Sequence, residues 1–348
     1  MKKKYIFLII LVVIAISLFE YTGNTKKEFV IGAIIPESGF GAYWGIPVRS
    51  GINLAMQDLK AEYGDSFKLI IEDSQGNPKI AASAASKLLN VHNASALYTE
   101  FSGVSSAVSP IAKESGSFLV YSTFNQKILE NNPYSVKTFM SYDVVCDEFA
   151  KNIPPGSTVH IVSAISDAAP YCKKSLMKYL SEANIKITEG ISGTDFRTLL
   201  LQQKQDRYDY LIPIMYEDGY FAYIKQKGEL QIPGIIFCYK DDCYTEKIKK
   251  GIASKDLSGM FIFSVAIDSL FKEKILRHNP SMTELEIAAS ANSYQSVYMI
   301  GEALYKCKKD IDCIQKELNH VSLSNPGYEN ARIENRALQS KIVIQRVQ

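Results

Sequence analysis

The sequence predicts an α/β protein of two Rossmann-like lobes, each on its own parallel sheet, joined by a three-strand hinge. Three observations lead there. The chain has 348 residues, beyond the size at which a single hydrophobic core usually keeps growing. From Glu28 onward, short apolar runs alternate with longer stretches of 3.6-residue period, the pattern of parallel strands linked by crossover helices. That alternation runs to about Met140, then restarts at Val159.

Taken in order, the first set of apolar runs predicts strands at 29–35, 67–72, 96–99, 118–121 and 136–140, with helices over 48–59, 79–91 and 105–114 between them. The second set predicts strands at 159–163, 186–190, 209–215, 235–239 and 260–265. Helical periodicity follows at 281–289, with Ser281 and Glu284 spaced as a capping box, and at 291–306. A late strand is expected at 341–347. Crossings between lobes are expected at 141–147, at 266–269 and near 325–327. They divide the chain into a first lobe of residues 28–141 with 268–325 and a second of 142–267 with 326–348. Three short crossings make a hinge, and a hinge between two lobes makes a closable cleft.

The N-terminus bears on the compartment. Lys2, Lys3 and Lys4 precede an unbroken apolar run from Tyr5 to Phe19, the order of an export signal. Fifteen helical residues rise only about 22 Å, short of a bilayer core. Yet no small-x-small cleavage site follows, and no cysteine follows the run to accept a lipid. Residues 1–24 therefore read as a cleaved signal peptide or as an uncleaved anchor.

Composition excludes some classes. Hydrophobic residues make up 47% and charged residues 22% of the chain, ordinary for a protein with a sizeable core. Lys and Arg number 39 against 37 Asp and Glu, and outside the first 24 residues the balance is 36 against 36. No basic excess suits a nucleic-acid partner. Six cysteines, an even number, suit an oxidising compartment. Cys307 and Cys313 bracket a polar turn between helical segments, and Cys238 and Cys243 bracket YKDD after a strand, so both pairs are disulfide candidates. His92, His160, His278 and His320 are scattered, and no metal-ligand spacing appears. No cofactor is expected.

Open α/β sheets hold ligands at the carboxyl ends of their strands. The first strand ends in IIPESGFGAYWG, whose Gly39, Gly41 and Gly45 superficially match a dinucleotide loop. Pro36, Glu37, Tyr43 and Trp44 crowd that loop, and Trp44 reads instead as a flat apolar ligand contact. The third strand ends in TEFSGVSS, where Ser102 precedes a helix and faces outward as an anion site or a cap. The fourth ends in YSTFNQ, with Ser122, Thr123 and Asn125 in the equivalent place. The second lobe contributes DAAPYC, MYEDGY and CYKDDC, from which Tyr171, Tyr216 and Asp241 stand out; a buried acid there would pair with a ligand ammonium. Asp241 and Asp242 read equally as a solvated turn. No GxSxG, GxxxxGK[ST] or HExxH pattern occurs, so catalysis finds no support in the sequence.

From Phe29 to the C-terminus the chain resembles the type I periplasmic binding proteins, in the leucine/isoleucine/valine-binding branch that serves ABC transporters. The resemblance is carried by IGAIIPESGFGAYWG, IIEDSQGNP, TEFSGVSSAVSPIAKESG, the GTDF of Gly193 to Phe196, and SANSYQSVYMIGEALYKC, in that order. It implies an extracytoplasmic, monomeric solute-binding protein that closes on an amino acid or close analogue and serves a membrane permease. It further implies that Ser102 and Thr123 hold the ligand α-carboxylate. By the same resemblance Trp44, Tyr171 and Tyr216 are its aromatic contacts and Asp241 its ammonium partner. Phe124 stands where the family has small residues and reshapes the pocket. A membrane-anchored sensor of the same fold is the alternative.

Overall fold

The structure, a computed structural model, describes residues 28–348 except 40, 165–167 and 324–326. The apolar segment read as signal or anchor lies outside the described residues. Among those described, no helix is long and apolar enough to cross a membrane.

The first lobe opens with β1 (Phe29–Ile35), α1 (Ala42–Tyr63), β2 (Phe67–Asp73), α2 (Pro78–Asn90), β3 (Ala96–Glu100), α3 (Ser102–Glu114), β4 (Phe118–Ser122), α4 (Lys127–Asn131) and β5 (Ser135–Lys137). The second follows with α5 (Tyr142–Ala150), β6 (Val159–Ser163), α6 (Ala168–Leu176), β7 (Ile185–Glu189), α7 (Arg197–Asp206), β8 (Tyr210–Ile214), α8 (Glu217–Glu229) and β9 (Ile235–Tyr239). Short helices α9 (Lys240–Cys243), α10 (Glu246–Gly251) and α11 (Ser254–Leu257) lead to β10 (Phe261–Val265). The chain then forms α12 (Ser269–His278), α13 (Glu284–Cys307), α14 (Ile311–Glu317), β11 (His320–Ser322), β12 (Arg332–Glu334), β13 (Ala337–Gln339) and β14 (Ile342–Arg346).

Two sheets result, ordered β11-β12-β13-β5-β4-β3-β1-β2 and β14-β10-β9-β8-β6-β7. Strands β1 to β5 pair in parallel, as do β6 to β10, while β14 joins β10 antiparallel. Their central strands are buried along their whole length and mainly apolar, as parallel strands covered on both faces are. In each sheet the strand order reverses beside its first strand, β1 or β6. Reversal opens a crevice at the carboxyl ends.

The C-terminal region departs from expectation. Residues 332–339 form a hairpin whose second strand pairs Ala337 with Lys137 of β5, so they extend the first sheet instead of entering the second lobe. The last crossing is therefore at Ser340 and Lys341, immediately before β14, and not near 325–327; Asn325 itself lies outside the described residues. The other two connections run through Thr138–Ser141 and Ala266–Asp268, the latter tied by a bridge from Ile267 to Tyr328. One helix spans 284–307 where two were expected. Its capping box is Thr283 with Glu286, two residues later than Ser281 with Glu284. The Thr283 hydroxyl caps the Glu286 N–H, and the Glu286 carboxylate accepts from the Thr283 N–H at 2.7 Å.

Helices α1 and α13 pack almost backbone to backbone. A Cβ on Gly51 would lie 2.1 Å from the Ser290 carbonyl oxygen. The Ser290 and Ser293 hydroxyls donate to the Pro47 and Val48 carbonyls at 2.8 and 2.9 Å.

Three disulfides close the cysteines. Cys238–Cys243 and Cys307–Cys313 have Cα separations of 6.2 and 5.5 Å, and Cys146–Cys172, unassigned by spacing, joins α5 to α6 with 5.2 Å. No group of three or more metal-ligating side chains occurs among the described residues.

Candidate ligand cleft

A cavity of about 70 Å³ lies where the carboxyl ends of the two sheets face each other, and both lobes line it. Larger grooves of about 650 and 690 Å³ exist, but each belongs to one lobe. The interlobe cavity alone among these sits at the strand ends of both sheets.

From the first lobe, the first turn of α1, just after the loop that follows β1, delivers Tyr43 and Trp44. Asp73, at the end of β2, holds that loop by accepting from the Glu37 and Ser38 N–H groups at 2.9 and 3.2 Å. The helix then starts hard against it. A Cβ on Gly45 would stand 2.0 Å from the Pro36 carbonyl oxygen, so glycine there is what lets Trp44 turn inward.

Next along the wall comes the end of β3. Glu100 is buried, and its carboxylate accepts from the Tyr98 hydroxyl and from Trp44 Nε1 at 3.3 Å. Burial pushes this carboxyl up to about 8, against the hydrogen bonds from Tyr98, Trp44 and Ser122 that favour its charged form. Phe101, which follows, has φ 63° and ψ 137°, a conformation non-glycine residues rarely adopt. This tight turn brings Ser102 to the cavity as the first residue of α3. Helix α3 thus begins at Ser102 and not two or three residues later.

From the end of β4, Ser122, Thr123 and Phe124 complete the wall. Thr123 Oγ1 accepts from the Asn125 N–H at 2.9 Å. Beneath the loop, the buried Lys137 ammonium donates to the Phe124 carbonyl at 3.2 Å, to Gln126 Oε1 at 3.2 Å and to Ser141 Oγ at 2.8 Å. Burial pulls this lysine down to about 7. It links the loop to the first crossing and does not line the cavity.

The second lobe presents Tyr216 at the start of α8, Tyr239 at the end of β9 and Asp242 in α9. Burial, then the Asp242 carboxylate, raises the Tyr216 phenol above its ordinary value. Aromatic rings knit the floor across the lobes. Phe124 meets Phe139 edge-on at 4.7 Å and Tyr142 at 4.5 Å, and Tyr239 approaches both phenylalanines at 6.1 to 6.4 Å.

Of the residues singled out in the sequence, Trp44, Ser102, Thr123, Phe124 and Tyr216 meet at this cavity. Tyr171 does not line it. Its hydroxyl, on α6 of the second lobe, instead donates to Glu130 Oε1 in α4 of the first at 2.5 Å, a contact that spans the lobes outside the cavity. Asp241 lies in α9, and its side chain is outside the described residues; the acid lining the cavity is its neighbour Asp242. Glu100 was not anticipated, although it stands inside the TEFSG segment. An acid closing an otherwise apolar strand was the signal available.

Residues 28–348 match a family model described as periplasmic binding protein. No curated protein sequence matches. Among solved structures, a solute-binding protein of an ABC transporter from Rhodopseudomonas palustris HaA2, in complex with p-hydroxybenzoic acid, is 19% identical, with a TM-score of 0.73 over 92% of this chain and 93% of that one. A leucine-binding protein from Thermotoga maritima is 17% identical, with a TM-score of 0.70 over 91% and 99%. A branched-chain amino acid transporter substrate-binding protein from Streptococcus pneumoniae, in complex with isoleucine, is 16% identical, with a TM-score of 0.69 over 92% and 100%. At these identities the likeness is one of fold.

Proposed function

Because this chain belongs to the periplasmic binding protein family, we propose that it captures a small polar solute, an amino acid or close analogue, between its lobes outside the cytoplasm and delivers it to an ABC permease. The observation that carries this reading is a cavity walled by Ser102, Thr123 and Phe124 from one lobe and by Tyr216, Tyr239 and Asp242 from the other. A solute touching both walls binds the closed state more tightly than the open one, so occupancy and closure are coupled. Asp242 takes the role of ammonium partner that the sequence suggested for Asp241. The chain works as a carrier and as a monomer, with no chemical step. Three disulfides and the basic-then-apolar N-terminus support an extracytoplasmic site of action.

Mass spectrometry of solute co-purified with the full chain, followed by small-angle scattering with and without that solute, tests the reading. Contraction of the particle at saturation is expected. An unchanged scattering curve sinks capture by closure, whatever the fold.

A further inference from the structure

Resting on capture between the lobes, and replacing an amino acid as the solute, we propose that the solute is a small organic cation, recognised by its ammonium group within an aromatic cage closed by Glu100 and Asp242, and not by a carboxylate.

The charges around the cavity set the sign. Two carboxyl groups line it, one from each lobe, and no lysine, arginine or histidine does among the described residues. Lys137 comes near the same loop, yet its protons go to the Phe124 carbonyl, Gln126 and Ser141. A ligand carboxylate would find hydroxyls and the first N–H groups of α3, equivalent to about half a positive charge. Against that stands the Asp242 carboxylate in a poorly solvated pocket, where a like charge is repelled strongly, joined by Glu100 whenever it ionises.

The apolar wall points the same way. Trp44, Phe124, Tyr216 and Tyr239 turn aromatic rings toward one small space, and ring faces carry negative potential that attracts ammonium ions, most of all when water is excluded. The cavity's about 70 Å³ suits a ligand of few heavy atoms, well below the roughly 300–1,000 Å³ typical of drug-sized sites. Glu100 adds a second strand. Its carboxyl is buried with three hydrogen-bond donors but without a cationic partner among them. A bound ammonium would supply that counter-charge and favour ionisation.

Calorimetric titration of the full chain at pH 7.5 with ethanolamine, choline, leucine and 4-hydroxybenzoate tests the assignment. At least one of the two cations should bind tenfold or more tightly than either carboxylate-bearing probe. Glu100→Gln and Asp242→Asn should each weaken that cation tenfold or more, with Asp242→Asn, at a half-buried position, guarding against a folding defect. Leucine or 4-hydroxybenzoate binding as tightly as the cations, or neither cation binding, overturns the proposal. Scattering on the same samples separates the two readings. A carboxylate probe that wins and contracts the particle leaves capture standing while the cation falls. A cation that wins without contraction does the reverse.

Discussion

Glu100 carries a carboxyl into the driest part of the cleft wall, and that placement has a pH signature in the empty protein. In the unfolded chain a glutamate ionises near about 4.3. In the folded one burial holds Glu100 up to about 8, with Tyr98 on its own strand, Trp44 from α1 and Ser122 from β4 facing it. Between those values the folded state keeps a proton that the unfolded state has lost, so stability is greatest below the lower value and declines as pH rises through the upper one. The decline attributable to this one group is up to a few kcal/mol. Glu100→Gln should flatten it, so that the variant's melting temperature falls less than the wild type's between pH 5 and pH 8; parallel profiles would rule the account out. At this scale the sequence was partly readable. Strand ends flagged Trp44, Ser102, Thr123, Phe124 and Tyr216, because topology alone puts such residues at the crevice. It could not separate Asp241 from Asp242, since both are acids in the same four-residue segment after a strand. Glu100 escaped because a polar residue at the end of a short strand is usually solvated, and only packing by Trp44 and Tyr98 reveals otherwise.

Among the elements, the α1 and α13 pair shows where local pattern governs and where it does not. Gly51 lies mid-helix, a place where glycine usually costs stability relative to alanine. Here the reverse is expected. Gly51→Ala would put a methyl into the Ser290 backbone and separate the helices that the Ser290 and Ser293 hydroxyls hold together. A loss of about 1–3 kcal/mol follows from overpacking of this kind, measurable by urea unfolding; unchanged stability would mean the pair can slide apart freely. Strands such as 29–35 and 159–163 were legible to the residue, since short, mainly apolar runs between turns leave little choice. Strands β11, β12 and β13, of three residues each, carry too little of a period-2 pattern to be seen, and their pairing with β5 is a tertiary fact. The break expected at residue 290 is not there: Ser290 and Asn292 are buried within one continuous helix, bonded to α1 and to the first crossing.

For the molecule as a whole, the relation of the lobes is the working variable. Tyr171 and Glu130 meet across it away from the cavity. Tyr171→Phe removes one hydrogen bond to a charged group, worth about 1 kcal/mol at a partly exposed site. The ligand-free radius of gyration should therefore rise and solute affinity should drop severalfold, with no change in which solutes bind; an unaltered radius would show that this contact does not hold the lobes. The two-lobe plan and most of its strands were implied by the restart of alternation after residue 141, whereas the strand order within each sheet and the lobe to which residues 332–339 belong were not. One covalent feature reaches further. The Cys238–Cys243 bridge closes a ring around Asp242, pinning a four-residue helix too short to hold itself. A newly made chain in a reducing cytosol has no such ring, and its second-lobe acid has no fixed address. On the proposed reading of an exported carrier, recognition is acquired only when oxidation completes the pocket. Titration of a Cys238→Ser, Cys243→Ser variant, which keeps the other two bridges, should show the loss of this ring as weakened binding by a protein that still folds.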